Sequence, residues 1–319
     1  MLFRRRSERL VKLPEFEMWV STRDRGISKG LIERAERFAR GQDPGPEREP
    51  EFNWIVREEI RAVCEHYRNR EGRAVIYDLG ANLGFNSLII DAVCRSLLPR
   101  NKYMLYAIEP NPDNVPLLRK NLDHGRLNAE LCQCAIADYT GEGQFQSSDH
   151  SNLGTLAGRG HASVAARKVK VFSLPDFAET FATGIPNFIK MDIEGGEVEV
   201  LKGARQFLAD CPPPCKIIME VHPPAYTPER SLKKELRFLF ERGWAGKYLV
   251  SAAVALPDRF REAGLTPFLE FHTGRHARGI FRDFTVEQFL DFSCHSHLQE
   301  IPGRKPSPKI VRAILIEKR

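Results

Sequence analysis

The chain has 319 residues, 42% hydrophobic and 28% charged, with a formal net charge of +6. This is the composition of a soluble globular protein with room for one large domain or two small ones. No run approaches the roughly 18 to 20 apolar residues of a membrane helix, and no apolar signal core follows the basic start Met1-Leu2-Phe3-Arg4-Arg5-Arg6. Neither a membrane span nor a secretory signal is expected. Seven cysteines, an odd number over a long chain, argue against a disulfide scaffold and for a reducing, cytoplasmic setting. The mild positive charge fits an anionic substrate, or a basic surface that only aids solubility.

Residues 1–50 read as a basic, irregular extension, with a short helix over Lys29–Arg40 broken by the Gly/Pro cluster at Gly41–Pro46. Trp54, Ile55, Ile60, Val63 and Cys64 predict a helix over Phe52–Arg70. Strands and helices then alternate. Strands are predicted at Ala74–Asp78, Tyr103–Glu109, Ala129–Ala135, Asn187–Met191, Lys216–Val221, Tyr248–Val254 and Val311–Ile316. Helices are predicted at Phe85–Leu97, Pro112–His124, Glu197–Ala209 (with Gly203 inside it) and Ser231–Arg242. Gly141–Val171 is polar at first, with a strand at Lys168–Phe172, and 256–308 is an aromatic-rich insertion. The domain expected is therefore 51–319, with a core over 52–254 and a last strand at 311–316.

Such alternation implies a mostly parallel sheet with helices on both faces and a ligand beyond the carboxyl ends of its strands. Asp78, Glu109 and Asp192 fall at three of those ends. One acid there is unremarkable; three on one edge suggest a site. An acid closing the second strand, as Glu109 does, suits ribose hydroxyls, although it would also suit the start of the next helix. The loop Asp78-Leu79-Gly80-Ala81-Asn82-Leu83-Gly84 has neither dinucleotide spacing nor a phosphate-loop Lys-Ser/Thr. Its acid suits a ligand with an ammonium group.

This loop resembles the cofactor loop of class I S-adenosylmethionine-dependent methyltransferases, which often have glycine where this chain has Asn82. The run Lys190-Met191-Asp192-Ile193-Glu194-Gly195-Gly196-Glu197, leading into Leu201-Lys202-Gly203-Ala204, resembles the signature of the FkbM family of methyltransferases. Glu109-Pro110-Asn111-Pro112 is similar to that family's second-strand ending. The resemblance covers about Phe52 to Trp244 and implies a Rossmann-like, seven-stranded sheet with an antiparallel last strand. It also implies S-adenosylmethionine as cofactor. Gly80, Ala81, Asn82 and Gly84 would line the methionine part, with Asp78 behind them holding the ammonium group. Glu109 would take the ribose, Ala135 and Asp138 would edge the adenine, and Asp192 would lie near the sulfonium.

Methyl transfer needs in-line alignment of the acceptor. A hydroxyl acceptor must also lose a proton to a base or metal-bound partner. Asp192, Glu194, Glu220 and His222 are the candidates, and Asp192, Glu220 and His222 could together hold Mg2+. Glu197 and Glu199 fit a helix start, and Lys190 reads as structural. A second group, His272, His276, Cys294, His295 and His297, could hold a metal or simply pack. The expected activity is O-methylation of a small-molecule or glycan hydroxyl. The alternatives are an RNA methyltransferase, permitted by the basic N-terminus, and a non-catalytic cofactor-binding module. The acceptor and the oligomeric state are not written in the sequence. The polar loop 147–160 and the aromatic-rich insertion are expected to shape the acceptor pocket.

Overall fold

Chain-order alternation of apolar runs with amphipathic segments is realised around one large sheet. The structure, a computed structural model, describes residues 7–146, 154–156, 167–274, 276–301 and 303–319. An N-terminal hairpin, β1 (Glu8–Lys12) and β2 (Glu17–Ser21), is followed by helix α1 (Ile27–Ala39) and helix α2 (Pro50–Arg68). Pro50 at the first turn of α2 suits a position whose N–H has no helical partner. Next come β3 (Ala74–Leu79), α3 (Phe85–Leu97), β4 (Tyr103–Ile108), α4 (Val115–His124) and β5 (Ala129–Cys132). A small side sheet holds β6 (Ala135–Ile136), β7 (Gly141–Gln146), β8 (Thr155–Leu156) and β9 (Arg167–Phe172). It is followed by α5 (Leu174–Thr180), capped by the Ser173 hydroxyl accepting from the Asp176 N–H.

The second half contains β10 (Phe188–Met191), α6 (Glu197–Gly203), α7 (Arg205–Ala209), β11 (Lys216–Glu220), α8 (Leu232–Phe240) and β12 (Trp244–Ser251). Then follow α9 (Asp258–Glu262), β13 (Leu269–His272), β14 (Ala277–Phe281), α10 (Val286–Cys294) and β15 (Val311–Lys318). The main sheet runs β13-β14-β12-β15-β11-β10-β3-β4-β5. β5, β4, β3, β10 and β11 are parallel, and β15 enters antiparallel between β11 and β12.

Every residue of β3 is buried. Val75, Tyr77 and Leu79 belong to the core on one face, and Ala74 and Ile76 to the core on the other. A parallel strand covered on both faces therefore reads as a continuous apolar run, with Asp78 as its exception. Among the described residues no helix is long and apolar enough to cross a membrane.

Several expectations change. The main sheet has nine strands, not seven, because β13 and β14 of the aromatic-rich insertion extend it beyond β12. The insertion's aromatics supply core: Phe260, Phe281, Phe289 and Phe292 are buried. The helix expected over Glu197–Ala209 breaks at Ala204 into α6 and α7. The third strand stops at Cys132, and Ala135 joins the side sheet. The N-terminal segment is not irregular. Trp19 exchanges main-chain hydrogen bonds with the Asn121 side chain of α4 at 2.6 and 2.9 Å, and Phe16 meets Phe85 of α3 edge-on. Most of the loop 147–160 and the run Arg4-Arg5-Arg6 lie outside the described residues.

Candidate functional site

A cleft opens at the carboxyl ends of β3, β4, β10 and β11, where a doubly wound sheet places its ligands. Gly80 turns the chain there with φ +73°. A Cβ at this position would lie 2.1 Å from the Asp192 carbonyl oxygen, so only glycine fits. The N–H groups of Gly80 and Ala81 both donate to the Ile108 carbonyl at 3.0 Å. The loop's amides are thus used to tie β3 to β4 and are not left for a ligand. Asn82 follows with φ +52°, a left-handed conformation that asparagine tolerates better than most residues. That explains why it can stand where related loops have glycine. Its Oδ1 is buried without a hydrogen-bond partner.

Gly80, Ala81 and Asn82 line the cleft. Gly84 does not: it caps α3 at φ +89°, and a Cβ there would meet Leu118 of α4 at 3.0 Å. Asp78 is also displaced from its expected role. It is fully buried behind the loop, where it accepts from the Ser87 hydroxyl at 2.6 Å. Lys190 Nζ lies 3.0 Å from its Oδ1, an ion contact whose angle falls short of a hydrogen bond. Lys190, not Asp78, reaches the cleft wall, and it donates to the Leu79 and Gly80 carbonyls at 3.3 and 2.8 Å. Burial works against its charge, but Asp78, Asp192 and Glu109 keep it protonated.

Glu109 lines the cleft beside this loop. Its carboxylate accepts from the Asn82 N–H at 2.8 Å, the Asn111 N–H at 2.9 Å and the Asn114 side chain at 3.3 Å. Burial nevertheless outweighs these bonds and pushes it up to about 7. Ala135 lines the cleft with Cys134 and Ile136. Asp138 does not, because it pairs with Lys202 of α6 at 2.9 Å.

At the end of β10 the chain makes a tight loop with Glu194 at φ +53° and Gly195 at φ +89°. A non-glycine residue held left-handed carries strain, and such residues gather at functional sites. Asp192 and Glu194 both line the cleft. Burial, then the neighbouring Glu220, push Asp192 up to about 6. Burial, then Asp192, push Glu194 up to about 7. Glu220 also lines the cleft but is sequestered, with Lys309 Nζ at 3.2 Å and Arg312 at 3.4 Å. Burial alone would raise Glu220; Arg312 and Lys309 instead hold it well below the usual carboxylate range.

His222 stands behind the wall, with Nδ1 2.9 Å from Glu197 Oε1 and Nε2 3.5 Å from Glu194 Oε2. The set Asp192, Glu220 and His222 therefore does not converge as metal ligands: two of its members are tied to other partners. Among the described residues no group of three or more His, Cys, Asp or Glu side chains is arranged to hold a metal ion, and this includes the C-terminal His/Cys group.

The far wall comes from residues that motif reading missed. Arg48 and Glu49, just before α2, and Arg312 of β15 line the cleft. Arg312 pairs with Glu49 at 2.8 Å, Glu51 at 3.0 Å and Glu220 at 3.4 Å. Glu49 has φ +53°, a second strained glutamate on the cleft. Burial opposes its charge, but Arg312 and Arg48 take it down to about 2. One signal was available: an arginine inside the apolar run Val311-Arg312-Ala313-Ile314-Leu315-Ile316 has to be paired if that strand is central.

The arrangement fits a cationic nucleoside such as S-adenosylmethionine. Glu109 offers a carboxylate to ribose hydroxyls, and the unpartnered Asn82 Oδ1 lacks the donor that an ammonium or hydroxyl supplies. Among the described residues, five acids (Glu49, Glu109, Asp192, Glu194 and Glu220) face three cations (Arg48, Lys190 and Arg312) along the wall. This balance favours a positively charged ligand.

Over 148 residues the chain is 28% identical to the hexuronic acid methyltransferase AglP of Haloferax volcanii, a match covering 46% of this chain and 56% of that protein. The chain thus spans about half the length of this curated relative. Among solved structures it is similar to a precorrin-6y C5,15-methyltransferase from Geobacter metallireducens, at 17% identity and a TM-score of 0.33, covering 70% of this chain and 86% of that one. It is also similar to an S-adenosylmethionine-dependent methyltransferase from Agrobacterium tumefaciens, at 8% identity and a TM-score of 0.40, covering 98% and 70%. Likenesses this loose fix neither reaction nor acceptor. The sequence pattern of the methyltransferase FkbM domain matches residues 78–244, slightly more than half of the chain. The chain belongs to the FkbM family of S-adenosylmethionine-dependent methyltransferases.

Proposed function

We propose that this protein methylates a hydroxyl group of a sugar or similar polar small molecule, with S-adenosylmethionine as donor. The observation that carries the reading is Glu194: strained, cleft-lining, and pushed up to about 7 beside Asp192 at about 6. A carboxylate poised near neutrality suits the removal of a proton from a hydroxyl. Bound in the cleft, the cofactor supplies an electrophilic methyl on a sulfonium.

The chain's own residues do the rest. Glu109 and Asn82 hold the nucleoside end, and Lys190 fixes the loop by its carbonyls. Asp192 places negative charge near the reacting centre. Glu194 takes the acceptor proton as the O–CH3 bond forms and the S–CH3 bond breaks. The acid-rich lining weighs against a polyanionic RNA acceptor. The name of the Haloferax relative, a hexuronic acid methyltransferase, supports a sugar acceptor.

The test is transfer of labelled methyl from S-adenosylmethionine into three pools: monosaccharides with uronic acids, glycan fractions, and RNA. Label in the first two, lost in Asp192→Asn while calorimetric cofactor binding persists, is the expected result. Label in RNA alone, or tight binding with no transfer to any pool, would overturn it.

A further inference from the structure

The loop bearing Asp192 and Glu194 is held from behind by side chains that do not line the cleft. Glu197, fully buried at the start of α6, accepts from the Gly195 N–H at 2.9 Å and lies 2.9 Å from His222 Nδ1. The Tyr226 hydroxyl donates to the other Glu197 oxygen at 3.2 Å and accepts the His222 backbone N–H at 2.8 Å. Arg230 donates to the Gly195 carbonyl at 2.9 Å while it pairs with Glu199. Glu194, which lines the cleft, meets this group through the 3.5 Å contact with His222 Nε2.

We propose that Glu197 and His222 form a positioning pair that acts through Glu194: Glu197 orients His222 as a cation, and His222 keeps the Glu194 carboxylate ionised and available as the base. The inference rests on the reading of Glu194 given above. The charges around Glu194 make the case. Asp192, Glu220 and Glu197 all raise its proton affinity, and His222 opposes them. Around His222, burial and Lys309 work against protonation, while Glu197 and Glu220 favour it and prevail, carrying the imidazole up to about 9. Tyr226, raised by burial and Glu197, stays a neutral hydroxyl.

An imidazolium has no lone pair for a second proton, so His222 is not itself the base at neutral pH. Without its charge, three acids remain around Glu194. Its proton would then stay on at neutral pH, and an acceptor hydroxyl would find no base.

The test is His222→Gln, which keeps an amide near Glu197 but removes the charge. The carboxyl of Glu194 is titrated in the cofactor-free protein by carbon NMR of 13C-glutamate, with its signal assigned from Glu194→Gln. The expected midpoint rises by about one unit or more, and the acid limb of kcat/KM moves up with it. Activity lost at pH 7 then returns above pH 8, a recovery that a merely structural role would not give. His222→Asn should shift both readouts the same way and serves if His222→Gln does not fold. Glu197→Gln also removes a charge that raises Glu194, so it is read instead as a fall in the His222 imidazole midpoint by proton NMR. An unmoved Glu194 midpoint in a folded His222 variant overturns the pair. A moved midpoint with an unmoved acid limb leaves the electrostatic link standing and overturns Glu194 as the base.

Discussion

Gly80 and Asp192 are in closer contact than any side chain at position 80 would allow: the space for a Cβ is filled by the Asp192 carbonyl oxygen at 2.1 Å. The turn after β3 and the end of β10 are therefore one packed unit. Gly80→Ala forces backbone apart and also places a Cβ at φ +73°. Backbone strain and overpacking together predict a loss of roughly 2–4 kcal/mol. The check is urea denaturation, with cofactor affinity falling in parallel. A variant as stable as wild type would mean that the two segments are not in contact.

Glu109 offers its carboxylate to the cleft while three protein donors hold it in place. Replacing it by alanine removes the proposed ribose acceptor and leaves the Asn82 N–H without its partner. S-adenosylmethionine affinity should fall at least about tenfold, or 1.4 kcal/mol, by calorimetry. Unchanged affinity would refute the ribose assignment.

Glu194 should cost the fold stability that its chemistry needs. Its carboxyl titrates near 7 when folded, against an ordinary 4.5. The folded chain binds this proton more tightly, so the group's contribution is full below pH 4.5 and is lost as pH rises towards 7. Glu194→Gln removes the penalty. The variant should be inactive yet more stable than wild type by roughly 1–3 kcal/mol at pH 8, with no difference at pH 4. Thermal melts at the two pH values decide it. Equal gains at both would remove the raised carboxyl as the cause.

Arg312 balances Glu49, Glu51 and Glu220 inside the protein. Arg312→Met would leave the buried Glu51 and the half-buried Glu49 and Glu220 without their shared cation. Breaking a buried ion cluster from one side typically costs about 3–5 kcal/mol. The loss should shrink as pH falls from about 4.5 towards about 2, the window set by the lowered Glu49. A loss that does not vary with pH would point to packing instead.

Sequence reading located the β3–β4 side of the cleft far better than the opposite wall. Strand-end acids and a glycine loop are local features, and Gly80, Ala81, Asn82, Glu109 and Asp192 all stand on the cleft. Asp78 was misread because sequence cannot show that a buried lysine, Lys190, already claims it. Gly84 and Asp138 were misplaced for a similar reason: each serves a packing contact, with Leu118 and Lys202 respectively. Glu220 and His222 belong to charge networks whose other members come from distant segments, so spacing could not separate them from metal ligands. The same holds for Arg48, Glu49 and Arg312. The strands β13 and β14 were hidden because their alternation is short and their aromatics read only as something that must pack.

The pairing of Arg312 with Glu51 joins positions 261 residues apart. Closing a flexible loop of that length would cost about 5 kcal/mol in chain entropy. The contact becomes accessible only after the intervening sheet has folded and brought β15 beside β11. The β3–β4 side of the cleft, by contrast, is built from one strand–helix–strand unit whose ends are much closer in sequence. On loop-closure grounds the stretch from Gly80 to Glu109 is expected to take shape before the wall opposite it, which needs the final strand to dock.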